Sequence, residues 1–242
     1  MASCKKDKTI QPNPNPGGTT RKVIKLSQTP SGYEETYEYD ALGRFTKIDE
    51  STSDLYVYTF NGSNFTVKAY RKTDNNRVVL DLSGTLDAKG RVTVANGIEQ
   101  YNANNPQNAQ YKFTYDADGY LIKLNRDYST NPDVQFDFIY SNGDVIEQKY
   151  SENGVYKHSV FFEYYTNMPN KLPFSEHYSI STLLIGLEGK PTAHLEKTGK
   201  LIYANNTAGW SYTKTWDLDA EGFPVKQVLT GSWNTTLYYH YQ

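Results

Sequence analysis

The sequence predicts an all-β protein, a curved antiparallel sheet of consecutive hairpins carrying one short helix docked on its apolar face. Three observations lead there. An Asp-x-x-Gly turn recurs at Asp40 and Gly43, Asp87 and Gly90, Asp116 and Gly119, and Asp219 and Gly222. Asp there accepts from the backbone two residues on, and Gly takes the positive φ of a type I turn closed by a G1 bulge. That geometry sets the residue before Asp against the second residue after Gly, and the chain offers Tyr39 with Phe45, Leu86 with Val92, Tyr115 with Leu121 and Leu218 with Pro224. Finally, the chain carries 22 Tyr against 2 Met, with 37% hydrophobic residues and a mean hydropathy of −0.72. Tyr packs its ring and leaves its hydroxyl to water, which suits a sheet with much wet surface.

At 242 residues the chain reads as a tether over 1–20 followed by a single β-rich domain over 21–242. Residues 9–20 alternate Pro with Asn and bury too little surface to offset their ordering entropy. A tether of about 16 residues counted from Cys4 spans on the order of 20–25 Å as a coil.

From Arg21 onward the pattern is strand, turn, strand. Residues 22–27 and 33–39 lead into the first Asp-x-x-Gly turn, and 44–49 returns. Segments 55–60 and 64–71 flank Asn61-Gly62, a strong hairpin signal. The second repeat spans 77–86 and 91–95, a polar loop covers 102–108, and the third repeat spans 110–115 and 120–126. Strands 134–140 and 144–150 surround Ser141-Asn142-Gly143, and Asn153-Gly154 turns into 155–165. In the second repeat, Val78, Leu80, Leu82 and Leu86 share a face with Val92 and Val94, while Asp81, Ser83 and Asp87 take the other. Tyr56, Tyr58 and Phe60 oppose Leu55 and Val57, which indicates strands covered on both sides or a curled sheet.

The hairpin series breaks over 167–191. Ile180, Leu183, Leu184 and Leu187 fall at i, i+3, i+4 and i+7, an apolar stripe on a helix. Ser179 or Ser181 caps its start and Gly186 or Gly189 its end, with Pro191 preventing continuation. So short a helix is marginal alone and must dock. The competing reading is a strand over 181–187. Segments 201–204, 210–218, 224–230 and 235–241 complete the strands, and the chain ends inside the last one.

Chemistry leaves fewer marks. Cys4 is the lone cysteine, so no disulfide forms within the chain and the domain holds no thiol nucleophile. The net charge of −2 comes from interspersed charges, which argues against nucleic acid. Asp217, Asp219 and Glu221 carry the spacing that opens a calcium loop, but its twelfth position is Val228, so a hairpin turn is preferred. The Gly189-Lys190 pair lacks the first glycine of a phosphate loop, position 184 being Leu. His158, His177, His194 and His240 share no spacing, and neither Gly-x-Ser-x-Gly nor His-Glu-x-x-His occurs. No catalytic residue, metal or cofactor is therefore expected.

Two resemblances extend this reading. Met1-Ala2-Ser3-Cys4 followed by Lys5-Lys6-Asp7-Lys8 resembles the cleavage site of a bacterial lipoprotein, which implies that Cys4 is the lipidated residue. The stretch from Tyr37 to Arg44, with a second copy from Phe113 to Gly119, resembles the YD repeat of Rhs-type proteins. The four turns lie 47, 29 and 103 residues apart, so the resemblance does not extend to a closed toxin-encapsulating shell. The whole chain is similar to uncharacterised cell-envelope lipoproteins of the Bacteroidota that combine a lipidated cysteine, a tether, YD-like hairpins and a segment like Leu184 to Lys190. The resemblance implies an outer-membrane lipoprotein, periplasmic or surface-exposed, and supplies no activity. The expected function is non-catalytic binding or scaffolding by a lipid-anchored protein, with a glycan or an envelope protein as partner. Tyr111, Tyr115, Tyr238 and Trp233 are the residues offered for stacking. The alternative is an envelope glycan or peptidoglycan hydrolase using paired carboxylates, which distant strands can supply.

Overall fold

The computed structural model describes residues 21–100, 104–174, 184 and 186–242. Its strands are β1 (Val23–Thr29), β2 (Glu34–Tyr39), β3 (Phe45–Glu50), β4 (Asp54–Asn61), β5 (Asn64–Arg71), β6 (Arg77–Leu86), β7 (Val92–Glu99) and β8 (Gln107–Tyr115). They continue with β9 (Leu121–Tyr128), β10 (Val134–Ser141), β11 (Asp144–Glu152), β12 (Val155–Pro169), β13 (His194–Tyr203), β14 (Ala208–Leu218), β15 (Pro224–Gly231) and β16 (Thr235–Tyr241). Each pairs antiparallel with its chain neighbours, and β1 pairs with β16 from Val23 opposite Tyr241 to Thr29 opposite Thr236. The sheet is therefore a closed barrel of sixteen strands, not the open curved sheet that local hairpin signals indicate. Closure is set by a pairing between the two ends of the domain, which turn chemistry cannot specify.

The hairpin chemistry itself is present. The ladders place Tyr39 opposite Phe45, Leu86 opposite Val92, Tyr115 opposite Leu121 and Leu218 opposite Pro224. The four turn glycines hold φ of +79°, +78°, +96° and +80°. Asp40 Oδ1 accepts from the backbone N–H of Leu42 and Arg44 while Oδ2 accepts from Arg44 Nε, and Asp87 does the same for Lys89 and Arg91. Burial pushes the Asp87 carboxyl up, but its bonds to the Arg91 side chain and to the turn N–H groups outweigh this and leave it below the ordinary value.

Every Asp-x-x-Gly turn joins an even to an odd strand, so all four lie at one end of the barrel, together with the start of β1 and the end of β16. We call this the proximal end and the opposite one the distal end. Arg21 locks the entering chain at the proximal end, with Nη1 2.5 Å from Asp219 Oδ2 and its guanidinium over the rings of Phe223 and Tyr241.

The inner face of the ring is apolar. Ile48, Val67, Leu80 and Leu82 are fully buried, and the core they join takes side chains from every part of the circumference. A circular ring of sixteen strands encloses a water-filled channel. Filling it with side chains requires the two halves of the ring to lie face to face, as in a sandwich. The outer face carries exposed cross-strand ion pairs, among them Lys47–Glu38 at 3.0 Å, Lys68–Asp81 at 2.9 Å, Lys123–Asp137 at 3.3 Å and Lys226–Asp217 at 3.1 Å. This is the reverse of a membrane-spanning barrel, whose outer band is apolar and whose strands run about 9–11 residues. Here β2 and β3 have six residues each.

Bulges correct the facing in the second repeat. The β5–β6 register shifts between Ala69 and Tyr70, so Val79 and Leu80 are both buried while Val78 is exposed. A second shift at Leu86 keeps Val92 inside but turns Val94 outward opposite Thr85.

The expected docked helix falls mostly outside the described residues. No α-helix exists among those described, whose helical content is a 3₁₀ turn at Lys72–Asp74 and a single 3₁₀ residue, Leu184. Leu172, Phe174, Leu184 and Leu187 are buried at the proximal end. Phe174 lies 6.4 and 6.5 Å from the rings of Tyr37 and Phe45. Val92 N–H donates to Leu187 O, Lys190 N–H donates to Gly119 O, and Gly189 fits against Tyr115 where a Cβ would come within 2.8 Å of the ring. The segment from Gly186 to Lys190 is thus clamped onto the second and third Asp-x-x-Gly hairpins and closes this end.

Gly119→Val tests the turn geometry. At φ +96° a β-branched side chain is strained, and a Cβ meets Arg91 Nη1 at 3.4 Å. The variant is expected to lose more than ~1 kcal/mol in urea unfolding, and an unchanged midpoint would contradict the bulge register.

Candidate functional site

The two ends of the barrel differ in chemistry. At the proximal end Glu188 has its Oε1 shut off from solvent without a hydrogen-bond partner. Burial raises its carboxyl to about 8, with Arg126 pulling the other way. Nearby, Glu196 and Lys214 form a buried pair at 3.3 Å. Tyr212 donates to Glu196 Oε1 at 2.6 Å and Trp216 Nε1 to the Glu196 carbonyl at 2.8 Å. The cavity beside this pair, about 10 Å³ between Tyr164, Leu172, His194 and Trp216, has room for one water. His194 Nδ1 lies 2.7 Å from Asp144 Oδ2, which occupies both groups in joining β11 to β13. These groups hold the closed end together.

The distal end is open-faced and divided in two. On β2–β9 the inner rim is charged. Glu35 and Glu50 face each other across the ladder. Burial raises both carboxyls above the ordinary range, each neighbouring acid adding to the shift. Tyr33 donates to Glu35, Ser53 donates to Glu50, and Asp54 holds Arg71 Nε at 3.1 Å. Burial also raises Glu99, against the pull of Arg126. On β11–β16 the rim is aromatic. Tyr150 and His158 stack with centroids 4.7 Å apart, and His158 meets Tyr203 edge-on at 6.2 Å. Tyr203 lies against Gly209, where a Cβ would be 3.1 Å from its ring. The next residue, Trp210, packs on Trp233 at 5.3 Å and stacks on Tyr212 at 5.5 Å. Tyr203 is 45% and Trp233 41% exposed.

The aromatic residues singled out from the sequence therefore separate. Trp233 belongs to this rim. Tyr238 is exposed on the outer wall, Tyr111 is buried in the core, and Tyr115 is part-buried, donating its hydroxyl to Val92 O at 2.8 Å. The last two cannot stack on a ligand. His158, Tyr203 and Trp210 escaped the sequence reading, since only closure of the ring brings the ends of β11 to β16 into one arc. Cys4 and His177 lie outside the described residues. Asp219 accepts from the backbone N–H of Glu221 and Phe223 and pairs with Arg21. Among the described residues no cluster of His, Cys, Asp and Glu has the arrangement of a metal site.

The class of the fold is a closed, all-antiparallel barrel. Its likeness among solved structures is to porin-like proteins. One from Bacteroides uniformis superposes with a TM-score of 0.69 at 15% identity, over 93% of this chain and 99% of that one. One from Bacteroides vulgatus gives 0.67 at 12% identity, over 91% and 99%. No family model and no curated protein matches the sequence. At such identities the likeness shows the fold.

Glu188→Gln tests the buried acid. A raised carboxyl contributes stability that is present below its ordinary value near 4.5 and lost as pH climbs to about 8. The variant is expected to match the parent at pH 4 and to exceed it by ~5 kcal/mol at pH 9. Equal stability at both values would show that Glu188 is not buried.

Proposed function

We propose that the chain is a lipid-anchored cell-envelope protein whose barrel is a water-surfaced, non-conducting scaffold that binds a partner at its distal rim. The polarity of the wall carries this reading. Ion pairs on the outer face would cost about 2–4 kcal/mol for each Lys at a bilayer midplane, and the side-chain-filled interior leaves no aqueous path. A barrel of this kind stays at the envelope only through an anchor, and Cys4 supplies one in this reading. The domain begins at Arg21 on the proximal end, so the tether leaves that end toward the membrane and the distal rim points away from it. The structural neighbours are described as porin-like proteins. On this reading the present chain shares their fold and not a pore.

The hydrolase alternative has one observation in its favour, the facing carboxyls of Glu35 and Glu50 with raised proton affinity. Both are engaged by Tyr33 and Ser53 at the rim, which fits a structural role better than catalysis.

Detergent-phase partitioning of protein made in a lipoprotein-processing host tests the anchor. The parent is expected in the detergent phase and Cys4→Ala in the aqueous phase, folded, with the same melting midpoint. Unchanged partitioning of Cys4→Ala would contradict the anchor.

A further inference from the structure

We infer that the distal aromatic arc of Tyr150, His158, Tyr203, Trp210 and Trp233 is a binding platform for a neutral carbohydrate chain. The inference rests on the proposed orientation, which presents this rim away from the membrane.

Contiguous flat rings line one side of the mouth. Adjacent centroids lie 4.7 Å apart for Tyr150 and His158, 6.2 Å for His158 and Tyr203, and 5.3 Å for Trp210 and Trp233. Along the ends of β11 to β16, Tyr203 lies against Gly209, the chain neighbour of Trp210. Rings buried for stability alone would sit inside the core, as Tyr111 and Phe65 do. Tyr203 and Trp233 instead keep nearly half their surface in water, which costs free energy unless a ligand covers it. Such rings take the apolar C–H faces of sugars, while their edges leave the hydroxyls to polar neighbours.

The surrounding charges select against polyanionic ligands. On the facing rim Asp54 is set on Arg71 and Glu99 lies beside Arg126. On the aromatic side Glu152 accepts from Tyr150 at 2.5 Å and pairs with Lys157 at 3.6 Å. Glu35 and Glu50 across the mouth are held by the hydroxyls of Tyr33 and Ser53, which leave a carboxylate's charge in place, so the rim offers nothing to attract a polyanion. It does present carboxylate and guanidinium edges that hydrogen-bond neutral hydroxyls. A long glycan also suits an arc that spans six strands, where a monosaccharide would meet one or two rings.

Affinity electrophoresis of the full-length protein in neutral detergent tests this, through gels containing starch, xylan, mannan or a β-1,3-glucan, with heparin as the polyanionic control. At least one neutral polysaccharide is expected to retard the protein. Tyr203→Ala and Trp233→Ala should each weaken that retardation about tenfold without moving the melting midpoint, whereas Trp233→Phe, which keeps a flat ring, should retain most of it. Retardation by heparin alone, by no neutral polysaccharide, or equally in parent and alanine variants would overturn the inference. Scoring detergent-phase partitioning on the same preparations separates the two readings. Retained partitioning without retardation removes the carbohydrate platform, and retained retardation without partitioning removes the anchor.

Discussion

The constraint on which the structure depends is that a closed ring of sixteen strands turns its apolar face inward and its charged face out. Water on the outside tolerates Lys68–Asp81 and Lys123–Asp137, and the hydrophobic effect then acts only on the inner face. That face must be covered, and a round ring of this size cannot cover itself. Large aromatics such as Tyr56, Tyr58, Phe113, Phe136 and Phe162 are buried in the core on that face. Bulges follow from the same demand. At Val79 and Leu80 two successive residues are drawn inward, at the cost of one ladder position.

Strand parity then gives the barrel two unlike ends. Because sixteen strands alternate in direction, the Asp-x-x-Gly turns, both ends of the ring and the segment from Gly186 to Lys190 gather proximally. That end is sealed by backbone hydrogen bonds onto Gly119 and Val92 and by Leu172, Phe174, Leu184 and Leu187. Among the described residues the distal connections carry no inserted segment, and rim residues such as Tyr203 and Trp233 keep contact with water.

Much of the hairpin level was legible in the sequence, and the ring was not. The positive φ of Gly43, Gly90, Gly119 and Gly222 and the four pairs facing across their turns are local chemistry, set by residues within seven positions of one another. Closure depends on Val23 meeting Tyr241, which no local signal reports. Val94 was misplaced because a bulge shifts side-chain parity without a characteristic residue type. The distal arc was only partly visible, through Trp233. Its other members are scattered over 60 residues of sequence and become neighbours only when β11 to β16 are laid side by side. Tyr111 and Tyr115 looked like surface rings from composition, and register puts them inside.

The most direct measurement of the central claim is the accessibility of the barrel wall in the membrane-bound protein. Single cysteines placed at Lys68, Lys112 and Lys226 on the outer face, and at Val67 and Phe113 on the inner face, can be reacted with a membrane-impermeant maleimide in opened envelopes, on a Cys4-lipidated background. The account predicts that the three outer positions label at the rate of a free surface thiol and that the two inner positions stay protected until the protein is unfolded. Protection of the outer positions together with labelling of the inner ones would mean that lipid covers the wall and water fills the lumen, and would contradict it.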